Sequence, residues 1–222
     1  MSTKKTNNLT FIDFTPGSHG HFLAFVKWDK LPSSPTINYH DLHKNNMIEK
    51  TNFQSAIVRN PELLENKLQT LDPIKSNVIL HSYGRTDLIR KYFPDACIIK
   101  VVVVDSHSLL FTSFFERVPG TELTQDSPIK HIKDMYKFYL LYHSKDINCT
   151  TYADTVIIFD NLYKSRQSFN NEIAKLNPIN SCDDAYEYFL PSKEFVLSRR
   201  ADKQSLLQKC LNDVEQELAQ DV

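Results

Sequence analysis

The apolar positions of this chain fall into two kinds of run that alternate along it. Short runs rich in β-branched and aromatic residues, Leu9–Phe14 (LTFIDF), Asn77–His81 (NVILH), Cys97–Val104 (CIIKVVVV) and Thr155–Asp160 (TVIIFD), have the length and composition of strands. Cys97–Val104 is almost continuously apolar, as expected of a strand covered on both faces. Between these runs the apolar residues recur at three and four. This spacing predicts helices over Gly20–Asp29, with Phe22, Phe25 and Val26 on one face, and over Pro61–Leu71, which has proline at its first position. It also predicts helices over Arg85–Phe93, stopped by Pro94, and over Ser106–Arg117, Ser127–Ser144, Lys164–Leu176 and Asp202–Ala219.

Strands that alternate with helices pair in parallel through right-handed crossovers. The expected fold is therefore α/β, a three-layer parallel sheet with helices on both faces. Residues 30–60 contain Pro32 and Pro35 and hold no sustained period, so a fifth strand or a long substrate loop belongs there. The whole chain, 1–222, reads as one domain closing in a helical segment over 180–222, without internal repeats or low-complexity blocks.

Composition narrows the function classes. A formal net charge of −1 argues against a general nucleic-acid binder, which would carry a basic excess. The polar start of the chain lacks the apolar core of a signal peptide, and no apolar run is long enough to span a bilayer, so a cytoplasmic protein without membrane contact is expected. Cys97, Cys149, Cys182 and Cys210 match neither a zinc pattern nor a disulfide framework and read as free thiols.

In an open parallel sheet, ligands bind beyond the carboxyl ends of the strands. The segments that follow the four strands are Thr15–His21, His81–Arg85, Asp105–Ser108 and Asp160–Asn161. The first two hold three of the four glycines (Gly17, Gly20, Gly84), and four of the eight histidines (His19, His21, His81, His107) lie in the first three. A strand-to-helix turn containing Gly17 and Gly20 aims backbone amides along the next helix axis, which suits an anion. The turn lacks the Gly-Lys-Ser/Thr ending of a nucleoside-triphosphatase loop. His19, His21, His81, His107 and Asp105 around one crevice would alternatively suit Zn or Fe, a less favoured reading because a His-x-His turn is more often solvated or anion-facing. Lys130–Lys133 reads as a solvated helix face, the Met135–Tyr142 aromatic cluster as core or partner surface, and Asp183–Tyr188 as a surface helix in preference to an acceptor-side lid.

The order of these segments resembles the sulfotransferase family, which has a P-loop-type fold. That family opens with a strand, a Pro-Lys/Arg-Ser/Ala-Gly-Thr-Thr-Trp-Leu loop and a helix. Pro16-Gly17-Ser18-His19-Gly20-His21-Phe22-Leu23 is similar, keeping Pro16, Ser18, an aromatic at Phe22, and Leu23. The family's second strand often ends in Lys-Thr-His, and Ile79-Leu80-His81 keeps the His. Asp87–Val102 resembles its short helix, proline and rising strand, and Phe159-Asp160-Asn161-Leu162 its late strand. The resemblance spans roughly residues 9–30 and 77–176. It implies sulfuryl transfer from PAPS to a hydroxyl of a glycan or small molecule, with His81 as general base. The implied cofactor contacts are Pro16, Gly17, Ser18, His19, Gly20, His21, Asp105 and Thr112, with no metal. Two departures stand out: Gly17 replaces the loop cation, and Val104 replaces the Arg that holds the 3′-phosphate, Thr112 falling at the family's Ser. They motivate the alternative of a catalytically degenerate nucleotide- or glycan-binding protein. If transfer persists, protonated His19 or His21, or Arg85 or Lys27, would have to supply the missing charge.

Overall fold

The computed structural model describes residues 9–15, 17–31, 51–58, 60–71, 75–105 and 126–220. Among them five strands form one all-parallel sheet: β1 (Thr10–Phe14), β2 (Gln54–Ser55), β3 (Asn77–Leu80), β4 (Cys97–Val102) and β5 (Thr155–Ile158), in spatial order β2-β3-β1-β4-β5. The fifth strand of the 30–60 stretch is thus a two-residue edge strand, too short to leave a periodic signal. The helices are α1 (Gly20–Trp28), α2 (Leu64–Gln69, entered through a 3₁₀ turn at Pro61–Leu63), α3 (Thr86–Tyr92), α4 (Asp126–Asn148), α5 (Asn161–Lys164), α6 (Arg166–Ala174) and α7 (Cys182–Gln220). The expected helix over Ser106–Arg117 lies outside the described residues.

Side chains alternate across the sheet, and each face has its own core. Phe11, Val78, Leu80 and Ile98 point to one side, where Leu64 and Leu68 of α2 and Leu88 and Ile89 of α3 cover them. Ile12, Phe14, Ile79, Ile99 and Val101 point to the other, against Phe22, Leu23 and Val26 of α1, Phe169 and Ile173 of α6, and Phe189 of α7. Helices on both faces make the three layers that the alternation implies.

Two helices run past their sequence-based bounds. α4 continues to Asn148, and α7 begins twenty residues before Asp202 and passes through Pro191. An interior proline ordinarily ends a helix because it removes a backbone donor and crowds the preceding turn. Here the flanking Phe189 and Val196 are buried in the core, and this packing carries the helix across the break. Farther along, Lys133 of α4 pairs with Asp213 and Glu217 of α7, and Tyr136 donates to Glu215, so the end of α7 lies along the start of α4. Tyr136 and Tyr139 are buried in the core, whereas Leu140 and Leu141 of the same aromatic-rich stretch are exposed. No helix among the described residues is long and apolar enough to cross a membrane.

Each of the two central strands carries one charge on its α2/α3 face. Asp13 of β1 stands opposite Lys100 of β4 in the parallel register, and both are fully buried. Lys100 Nζ lies 3.0 Å from Asp13 Oδ2 and 2.7 Å from Oδ1 of Asp146, which descends from the C-terminal turns of α4. Burial works against the charged form of each group, but the opposite charges and hydrogen bonds prevail: the Asp13 carboxyl is held below its ordinary value and the Lys100 ammonium above its own. Asp13 and Lys100 are therefore both charged in the interior. Removing the central cation would leave two buried carboxylates facing each other. Lys100→Met is expected to lower the unfolding free energy by about 3–5 kcal/mol in denaturant titration, far more than one lost surface ion pair.

Candidate functional site

From β1 the chain leaves toward the β2 edge, whereas from β3 and β4 it leads toward β5. The connections therefore diverge at the carboxyl end of β1, the position at which open parallel sheets commonly bind ligands. Thr15, Gly17–His21, His81–Arg85, Val103–Asp105 and Phe159–Tyr163 all leave the sheet at this edge.

The first turn is closed locally. The Ser18 amide and hydroxyl both donate to the Thr15 carbonyl, at 3.0 and 2.7 Å, while Gly17 takes φ 89° and His19 φ 59°. A positive φ at a histidine is uncommon and carries strain that the surroundings must hold. The holding contact is Tyr163 of α5, whose hydroxyl lies 2.6 Å from His19 Nε2. Phe159 and Phe189 also pack on the His19 ring. Burial pushes this imidazole down to about 3, so it is neutral.

That placement gives two of the loop residues structural roles. His19 turns into the aromatic core beneath the loop and offers no positive charge near neutral pH. Gly20 answers a packing need: a Cβ there would collide with the Phe14 ring, so the glycine lets α1 start directly over that ring. His21 sits half-buried with its ring edge-on to Phe14, centroids 5.9 Å apart. The other expected cations are engaged elsewhere. Lys27 donates to the Leu176 carbonyl from the last turn of α1, the end away from the loop. Arg85 is exposed and faces Asp87 at 3.4 Å.

The second turn holds His81. Its Nδ1 lies 2.6 Å from the Phe14 carbonyl, and its ring packs against the Phe14 ring with centroids 4.2 Å apart. A carbonyl only accepts, so Nδ1 carries the proton and Nε2 keeps the lone pair. Burial, partly opposed by the Phe14 contact, lowers this imidazole to about 4. Tyr83 and Gly84 follow with φ of 55° and 71°, and the Tyr83 hydroxyl donates to the Val58 carbonyl. Gly84 is required twice over: by its φ, and because a Cβ would meet Lys145 Cβ of α4 at 2.4 Å.

At the β4 exit, Asp160 accepts the Val104 and Asp105 amides at 2.7 and 3.1 Å and so ties this exit to that of β5. The Asp105 side chain is exposed beside Val104, which is 58% exposed. Pro16, His107 and Thr112 lie outside the described residues. Among the described residues no three His, Cys, Asp or Glu side chains cluster closely enough to hold a metal ion.

The sequence reading passed over the groups beneath the turns. Asp13 Oδ1 accepts the Ser82 amide at 2.9 Å, and its Oδ2 accepts the Ser82 and Thr86 hydroxyls at 2.6 and 2.7 Å. Asp146 Oδ2 accepts the Thr15 hydroxyl at 3.2 Å and its Oδ1 the Gly84 amide at 3.0 Å. The available signal was a single charge of opposite sign within each of two strands otherwise built for burial, since a buried charge requires a partner.

The chain matches no protein-family model, no curated protein and no solved structure at a significant level.

Two buried imidazoles with depressed pKa values make stability depend on pH. Between about pH 6.5 and pH 4 the unfolded chain takes up protons on His19 and His81 that the folded chain refuses, so stability falls as the pH falls. Each group contributes a slope approaching about 1.4 kcal/mol per pH unit in that window. Asp13 acts in the same direction at lower pH, its contribution being lost as the pH drops below the ordinary carboxylate range. Urea midpoints at pH 7 and pH 5 are expected to differ in this sense, and His19→Gln with His81→Gln to flatten the difference.

Proposed function

We propose that this protein transfers a sulfuryl group from PAPS to a hydroxyl of a glycan or small molecule. The reading rests on the resemblance of the strand-exit segments to the sulfotransferase family. One observation carries it further: the hydrogen bond between His81 Nδ1 and the Phe14 carbonyl. It joins the imidazole to the root of the Gly-containing loop and leaves Nε2 as the proton-accepting nitrogen, the arrangement a general base needs. Backbone amides that open α1 suit an anionic phosphosulfate, and Gly17, Ser18, Gly20 and His21 line that turn, with Pro16, Asp105 and Thr112 as the remaining candidate contacts. His19 contributes from below, by holding the loop through Tyr163.

In this reading the acceptor hydroxyl gives its proton to His81 Nε2 as its oxygen bonds to sulfur. The bond between sulfur and the phosphate oxygen breaks, and adenosine 3′,5′-bisphosphate leaves. An imidazole held near about 4 is neutral, hence competent to accept, throughout the physiological range. It is also a weaker base than a solvated histidine, so proton transfer runs late, as the acceptor oxygen becomes acidic on bonding.

A second reading, binding without transfer, is favoured by one observation. The described cations near the strand exits already have partners: Lys100 with Asp13 and Asp146, Arg85 with Asp87, Lys164 with Asn161, and Lys145 over the Tyr142 ring. Calorimetry with adenosine 3′,5′-bisphosphate, alongside a transfer assay over a panel of hydroxyl acceptors, separates the two. Sulfuryl transfer predicts binding, and a loss of turnover of at least about a hundredfold in His81→Ala with binding retained. Binding without turnover in wild type selects the second reading, and no binding rejects both nucleotide readings.

A further inference from the structure

Consecutive residues of β1 hold consecutive residues of the second turn. Phe14 accepts the His81 ring through its carbonyl, and Asp13 accepts Ser82 through both carboxylate oxygens. The imidazole is thus fixed at its ring and at the peptide immediately beyond it. A second pair of contacts closes the structure into a ring. From His81 the backbone runs to Gly84, whose amide reaches Asp146. The other oxygen of Asp146 takes the Thr15 hydroxyl, and Thr15 follows Phe14 in the chain. Lys100 lies inside this ring and joins its two carboxylates. We propose that Asp13 and Asp146, bridged by Lys100, are positioning residues for His81, holding its ring in one tautomer and one orientation toward the Thr15–His21 loop.

Simple core stability would require only that the three charges satisfy one another. The two carboxylates do more: between them they accept two backbone amides and three hydroxyls, and every one of these donors belongs to the first turn, the second turn or the start of α3. Their capacity is directed at the segments that border the imidazole. An anion or proton acceptor placed on one turn is thereby kept in register with the other. Asp146 comes from a helix far along the chain, so α4 must be docked before the geometry is complete.

The catalytic meaning of this inference rests on the proposed transfer reaction, but the test reads the imidazole directly. Nitrogen-15 spectra of the histidine side chains, with the His81 signals identified by their loss in His81→Gln, are compared among wild type, Asp13→Asn, Ser82→Ala and Thr15→Val. Wild type is expected to show one protonated ring nitrogen, Nδ1, at neutral pH. Asp13→Asn and Ser82→Ala are expected to show the two tautomers averaged. In Asp13→Asn the Ser82 amide should exchange with solvent on the order of 3- to 10-fold faster. If Asp13→Asn does not fold, the milder Ser82→Ala and Thr15→Val decide through the same signals. Folded variants that keep the single Nδ1-protonated ring overturn the proposal. Where wild type transfers sulfuryl groups, kcat should fall in these variants while KM for PAPS holds. A wild type with no turnover rejects the reaction and leaves the imidazole result standing.

Discussion

The structure depends on the three charges buried at the centre of the sheet. Taking an ammonium and two carboxylates out of water costs several kcal/mol for each ion, and only close, fully hydrogen-bonded pairing offsets it. Asp13 and Lys100 achieve this because β1 and β4 are adjacent and in a register that sets the two residues opposite each other. A slip of one residue would turn Asp13 into the apolar face occupied by Ile12 and Phe14 and leave Lys100 with one partner in place of two. The charge pair therefore disfavours alternative registers, while the hydrophobic residues around it supply the burial. The same atoms reach the turns on the carboxyl edge, so correct strand pairing and correct site geometry are one condition.

The two turns at that edge are built alike. Each has a non-glycine residue at positive φ beside a glycine: His19 after Gly17 and Ser18, and Tyr83 before Gly84. Each strained residue is held by a ring hydrogen bond to a distant segment, His19 to Tyr163 and Tyr83 to the Val58 carbonyl. Strain of this kind persists where the surroundings over-determine it. The histidines diverge in consequence. His19 is spent on holding its own loop, surrounded by Phe159, Tyr163 and Phe189. His81 is held by backbone at Nδ1, which leaves Nε2 with its lone pair.

The parallel sheet was legible because β-branched runs and three-and-four spacing report burial directly, and burial is what orders the layers. The boundaries failed where tertiary contacts overrode local preference. Pro191 and the polar residues around it make Asp183–Tyr188 read as a separate surface helix, whereas it is the first part of one continuous α7 whose Ala185, Tyr188, Phe189 and Val196 are buried. β2 is too short to carry a period. At the strand ends, the Gly and His of the first two turns gather at one edge of the sheet, and two of them carry structural work that the sequence did not show. Gly20 answers to the Phe14 ring and His19 to the core, and neither fact is visible without knowing which way β1 faces. Asp13 and Lys100 were readable in principle as opposite charges in apolar strands. Asp146 was not, because nothing local in DINCT marks the aspartate as the residue that reaches Thr15 and Gly84.

The placement of Lys100 bears on what the edge can do. A cation lies within the strand layer, yet its two carboxylate partners hold it buried below the surface. Its influence on His81 is correspondingly divided: Lys100 lowers the ring's proton affinity and Asp13 raises it, and burial decides the outcome. On the proposed reading, charge developing on an anion above the loop would meet, among the described residues, backbone dipoles at the start of α1. Dipoles of this kind act through fixed orientation, so their effect depends on how rigidly the loop is held. Rigidity is what the Asp146–Thr15, His19–Tyr163 and Ser18–Thr15 contacts provide. On the proposed reading, and among the described residues, this rigid frame stands where a positioned cation would otherwise be required.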